Sequence, residues 1–165
     1  MQKLLRYLLL SLTIGGGYLG VAATTDVLMT SGQSYPLLPW VLSAFFAFYG
    51  CAILTGLRLA DRIAQPVLLP LVFLIQVPWV SSSLVTFSVT SGLHFTVFYS
   101  DRFSLLYAFG SEWTFSMGDR APTGFGINFF ALAMALVALA LRRHKLPGSA
   151  VTLTTPSVVR ESPQP

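Results

Sequence analysis

From Val85 to Met117 the chain alternates between large apolar and small polar side chains. The odd positions are apolar or aromatic except Ser91, Asp101 and Ser111, which fall ten residues apart. The even positions are mostly small or polar, among them Thr86, Ser88, Thr90, His94, Thr96, Ser104, Thr114 and Ser116. Strand side chains point alternately to opposite faces, so a period of two over this length predicts a sheet with one apolar face. The interruptions divide it into four strands, about 84–89, 93–99, 103–109 and 113–117.

Parity predicts a register. Two odd residues facing each other across a hairpin need an odd number of residues in the loop. Thr90-Ser91-Gly92, Ser100-Asp101-Arg102 and Gly110-Ser111-Glu112 each supply three, and Gly92 suits the left-handed position of a type I turn with a G1 bulge. The expected product is an antiparallel β-meander pairing Phe87 with Phe95, Phe95 with Tyr107, and Tyr107 with Phe115. His94 would then face Ser88 and Ala108, and strands 84–89 and 113–117 would be the edges.

The rest of the chain has a different rhythm. Leu4 to Ala23, Leu37 to Leu57 and Phe125 to Leu141 are long apolar stretches, and Pro66 to Ser83 is a shorter one interrupted by Gln76. A bilayer core of roughly 30 Å takes about 20 helical residues. The expected fold is a multi-pass α-helical membrane protein of four transmembrane helices, with a small extracytoplasmic β-meander at 84–118 between the third and fourth. The membrane domain would cover 1–145. The Pro-, Ser- and Thr-rich segment 146–165 would be a disordered cytoplasmic tail. A competing reading of the first stretch is a cleaved signal peptide, with Lys3 and Arg6 as its charged region and Val21-Ala22-Ala23 as its processing site.

Composition supports this reading: 54% of residues are hydrophobic and 10% are charged, against about a quarter charged in soluble domains. The net charge of +4 does not point to nucleic acid, because the charges are sorted by position. Lys3, Arg6, Arg58, Arg62, Arg142, Arg143 and Lys145 lie on one side of the expected membrane. Asp26, Asp101, Glu112 and Asp119 lie on the other, with Arg102 and Arg120. The basic side is normally cytoplasmic, which puts both termini in the cytoplasm of a cell (inner) membrane protein. Cys51 is the sole cysteine, so no intramolecular disulfide can staple the sheet.

Candidate functional positions follow from these patterns. An apolar sheet face cannot be left in water, so Phe87, Phe95, Tyr107, Trp113 and Phe115 form a candidate interaction surface. The opposite face carries His94, Thr114 and Ser116. Gly16 and Gly20 make a small-xxx-small pair, and Ser43, Ala47, Cys51 and Thr55 a second stripe, both suited to close helix packing. Gln76 and Asn128 are expected to hydrogen-bond across the helices.

No cofactor or metal is expected, because His94 has no second histidine or cysteine on its side. The leading expectation is a non-enzymatic assembly protein embedded in a lipid bilayer. Its sheet would dock a membrane or extracytoplasmic protein partner, with homo-oligomers possible. A lipid-handling carrier with a pocket between helices and sheet is the alternative, placed near Phe95, Tyr107 and Trp113. A membrane enzyme pairing His94 with an outer carboxylate is the third.

Overall fold

The computed structural model describes residues 2–30, 36–61, 67–118 and 123–143. Helix α1 (Gln2–Leu10), a π-helical turn (Ser11–Gly15) and α2 (Gly16–Thr30) run on as one apolar rod. Helix α3 (Leu38–Ala60) packs antiparallel against it. Glycine permits the close approach: a methyl group on Gly20 would overlap the Tyr49 ring, and one on Gly17 would lie 2.6 Å from Ile53 Cγ1. Arg6 donates to the carbonyls of Leu59 and Ala60, joining the basic ends of the two rods. Among the described residues, these two helices are long and apolar enough to cross a membrane.

The other two expected spans are not full helices. The third stretch gives only α4 (Leu68–Leu74) and then strand β1 (Pro78–Ser81). Pro78 removes a helical hydrogen bond and pushes the residue before it out of the α region. A proline can, however, be the first residue of a strand. The fourth stretch begins as a strand, Gly124–Asn128, and becomes helix α5 (Phe129–Arg143) only after Asn128. The Asn128 side chain accepts from the Ala131 N–H at 3.1 Å, an N-cap bond that starts the helix.

Between them lie β2 (Val85–Val89), β3 (Leu93–Tyr99), β4 (Phe103–Phe109) and β5 (Trp113–Met117), which makes Gly124–Asn128 β6. The four expected strands are present, but the meander is not. The sheet has six antiparallel strands in the order β4-β3-β6-β1-β2-β5. The expected pairs Phe87–Phe95 and Tyr107–Phe115 are replaced by Phe87–Phe115, while Phe95–Tyr107 forms. Strand 84–89 is interior and the edges are β4 and β5. His94 faces Ala108, as expected, whereas Ser88 faces Thr114. The alternation within each strand set its two faces; β1 and β6, hidden in apolar stretches, took the central places that parity alone had given to neighbours in sequence.

This order forces curvature. Laid flat, six strands would hold the two edges about 24 Å apart. Three residues, 110–112, link β4 to β5, and Phe109 to Trp113 can span at most about 14 Å. The sheet therefore curls until its edges approach each other at that loop, although no ladder joins them.

Two apolar clusters hold the parts together. Leu9, Leu12, Leu59, Leu69, Phe73, Met134, Ala135 and Ala138 bind α4 and α5 to the basic half of the long helices. Phe45, Tyr49 and Val89 bind α3 to the sheet, and Trp113 stacks on Phe45 at 4.3 Å between ring centres. The expected disordered tail, 146–165, lies outside the described residues, as do Asp119 and Arg120.

Candidate interaction surface

The sheet is rooted at the middle of both long helices. Gly16 is the midpoint of the rod from Gln2 to Thr30, and Tyr49 the midpoint of α3. Ser111 Oγ donates to Gly16 O at 2.6 Å, and Ser91 Oγ donates to Leu12 O at 3.3 Å. The Tyr49 hydroxyl lies 3.0 Å from Thr90 O and 3.2 Å from Glu112 O and donates between them. Gln76 closes the set: its Oε1 accepts from Ser91 N at 2.8 Å and its Nε2 donates to Val72 O at 2.8 Å. Loops 90–92 and 110–112 are thereby fixed to helix backbone, where their polar groups would otherwise be buried without partners. Gly92, at φ +88°, turns the chain against Leu12 in this joint, and its strands are not hairpin neighbours.

From that root the two faces diverge. Phe103, Tyr99, Phe125, Val80, Phe87 and Phe115 form one continuous row across all six strands. Leu105, Val97, Ile127 and Pro78 form the next row on the same face. Helix α3 covers only the β2–β5 portion. On the rest, Phe109 is 85% exposed, Tyr107 76%, Phe103 78% and Phe125 63%. The other face carries Gly124, Ser81, Thr86 and Ser116 in one row and Asn128, Thr96 and Leu106 in another. There Ser81 is 3% exposed, Thr96 5%, and His94 and Asn128 2% each. The sheet has wrapped its polar face inward and left its aromatic face outward, the reverse of a water-soluble β-domain.

The edges have a definite polarity too. The bonds Gly110 N to Gly92 O and Ser100 N to Arg102 O bracket the β3–β4 ladder. Even-numbered residues of β4 therefore bond to β3, and Phe103, Leu105, Tyr107 and Phe109 aim their backbone groups at the open edge. In β5, the bonds Thr90 N to Glu112 O and Gly118 N to Leu84 O place Thr114 and Ser116 in the β2 ladder. The outward groups there belong to Trp113, Phe115 and Met117.

The expected surface is thus split. Phe95 and Tyr107 are exposed on the free half-face; Phe87, Trp113 and Phe115 pack toward α3. Thr114 stays exposed and Ser116 half-buried on the other face. His94 is buried, its Nδ1 without a hydrogen-bond partner. Asp101 is seven residues further along, about 23 Å of strand.

Of the helix-packing positions, Gly16 faces Ser91 and Gly20 faces Tyr49, so both serve packing within the chain. Thr55 is buried and Cys51 half-buried, whereas Ser43 and Ala47 are exposed. The packed face of α3 is instead Leu42, Phe45, Tyr49, Ala52 and Leu59. Gln76 bonds the backbone of loop 90–92 and of α4, and Asn128 that of the sheet, its Oδ1 accepting from Phe95 N at 3.3 Å. Ser91 and Ser111 are the anchors that sequence reasoning passed over, though the ten-residue break had marked both. Among the described residues, no group of three or more His, Cys, Asp or Glu side chains is placed to hold a metal ion. The chain matches no protein-family model, no curated protein and no solved structure.

Proposed function

We propose that the chain is an integral membrane protein of assembly type, with its curled sheet sunk in the outer half of the bilayer and its edge strands pairing with another polypeptide. The observation that carries this is the inverted sheet: buried hydroxyls and amides inside, exposed aromatic rings outside. In water such a face would be a large liability; in lipid it is the arrangement of a transmembrane β-barrel, apolar out and polar in. The root supports the same placement. If the two long helices cross the membrane, loops 90–92 and 110–112 lie at its middle, and strands of about 23 Å rising from there cover the half-thickness of about 15 Å.

Charge sets the orientation. Arg6, Arg58 and Arg142 gather at the end of α4 and α5, and Asp26 and Asp101 at the other, so the basic end is cytoplasmic. Glu112 is exposed at the level of the root and needs water, which on this reading reaches it between the unpaired edges β4 and β5.

Assembly follows from the edges. Hydrocarbon offers backbone groups no hydrogen bonds, and open sheet edges are not tolerated there. β4 carries no charge or proline to blunt it, so an added strand from a partner or a second copy satisfies it.

Two measurements test the reading. In a Cys51-free background, Ser100→Cys should react with an impermeant maleimide from outside, while Phe109→Cys should react only after detergent is added. Labelling of Phe109→Cys in intact cells would remove the membrane placement. In mild detergent the protein should migrate as a species larger than one chain, and Leu105→Lys with Tyr107→Lys should return it to a single chain. An unaltered species would remove the edge as the contact.

A further inference from the structure

An apolar cleft of about 280 Å³ lies between α3 and the sheet. Val41, Phe45 and Phe48 line it from α3, Phe87 and Phe115 from the sheet, and Ile75 from the turn after α4. No polar side chain lines it. The sequence pointed to a pocket between helices and sheet near Phe95, Tyr107 and Trp113, none of which lines this cleft.

We infer that this cleft holds one acyl chain of an outer-leaflet lipid. The inference rests on the membrane placement proposed above. Val41 to Phe48 occupies the outer half of α3, from near its Leu38 end down to one residue before Tyr49. That run rises about 10 Å along the helix axis, so the cleft is aligned with the chains of the leaflet beside it. Ile75 adjoins Gln76, which bonds the root loop, so that end of the lining lies near the middle of the membrane, where an acyl chain also ends. Its lining shares Phe87 and Phe115 with the aromatic row that the membrane reading gives to lipid.

The volume selects the occupant. It lies just below the range of roughly 300–1,000 Å³ usual for pockets that enclose a whole small molecule. A segment of one chain fits and a two-chain lipid does not, so the rest of that chain, the headgroup and the second chain stay in the leaflet. The walls are rings and branched aliphatics with no hydrogen-bonding group, so recognition is by shape and dispersion. A headgroup-blind site for a single chain is the result.

The test uses the full chain reconstituted in phosphatidylcholine vesicles whose lipid carries a diazirine midway along one acyl chain. After irradiation, adducts are mapped by peptide mass spectrometry. Adducts should be several-fold denser on the segment from Val41 to Phe48 and on Phe87 and Phe115 than on β4. Ala44→Trp, which fills the cleft, should abolish that excess and leave β4 labelling unchanged. Val41→Phe, which enlarges another lining side chain, should reduce it in the same direction and serves if the tryptophan variant does not fold.

Labelling no denser in the cleft than on β4 would overturn the acyl-chain site while leaving the membrane placement standing. A labelled cleft indifferent to both substitutions would overturn it as well. Exclusion of the probe from the cleft by a co-purifying polypeptide crosslinked at Val41 would assign the cleft to protein and likewise overturn it. Absence of adducts from both the cleft and β4 would instead remove the placement of the sheet in lipid.

Discussion

Ser111 gives its hydroxyl proton to the carbonyl of Gly16, 95 residues earlier, at 2.6 Å, and accepts from Gly92 N at 3.2 Å. One side chain therefore holds the first helix and the loop before β3 to the loop before β5. Ser111→Ala leaves two backbone groups without this partner in a buried joint, which costs about 1–3 kcal/mol. At this chain length the apparent melting temperature in detergent should fall by roughly 2–4 °C per kcal/mol. An unchanged melting temperature would show that the sheet is held by its apolar contacts alone.

Tyr49 makes the matching contact on α3. Tyr49→Phe keeps the ring against Gly20 and removes only the proton donated to Thr90 O and Glu112 O. A loss of about 1 kcal/mol is expected, measurable by the same melt. The double variant with Ser111→Ala should be non-additive, because both bonds hold loop 110–112.

Glycine variants separate packing from backbone effects. Gly20→Ala puts a methyl group into the Tyr49 ring and should cost about 1–3 kcal/mol, as overpacking does. Gly15→Ala meets nothing within 4 Å and adds helix propensity, so it should be neutral or stabilising by up to about 1 kcal/mol. Equal effects at the two positions would contradict the close approach of α2 to α3.

A charge on the outer face reads depth. Phe109→Lys, nearest the root, should destabilise by about 2–4 kcal/mol in lipid, and Phe103→Lys, at the far hairpin, by about 0–1 kcal/mol. Reversible unfolding in vesicles measures both. A face exposed to water would accept either without loss.

Glu112 and Phe109 are three residues apart and are predicted to meet different solvents. Glu112→Cys should react with impermeant maleimide from outside, through the gap between the edges, while Phe109→Cys should not. Equal protection of both would close that gap.

The strands were readable because alternation is a local signal. Each of the four expected strands is present, and Phe95–Tyr107 pairs because a three-residue hairpin with Ser100-Asp101-Arg102 joins neighbours in sequence. The other register errors share one cause. Pro78-Trp79-Val80-Ser81 and Gly124-Phe125-Gly126-Ile127-Asn128 look like the continuation of apolar helices, since short apolar runs carry no period of their own. Gly126 in particular falls inside the apolar stretch from Phe125 to Leu141. In the fold it is where β6 crowds β3, a Cβ there lying 2.7 Å from Phe98 Cβ, and where the rings of Trp79 and Phe98 meet at 5.1 Å.

The candidate surface divides the same way. That one face would be apolar and the other hydroxyl-rich is a property of the odd and even positions, and the sequence determined it. It also determined two long apolar helices and the sorting of basic from acidic ends, because hydropathy and charge are sums over neighbours along the chain. Which face turns inward was decided only by the tertiary structure: β1 and β6 separate strands that three-residue loops keep close, and the sheet can satisfy both conditions only by curling. The cleft against α3 and the anchors of Ser91 and Ser111 at the helix midpoints depend on that same curl, which joins residues far apart in sequence and leaves no local trace.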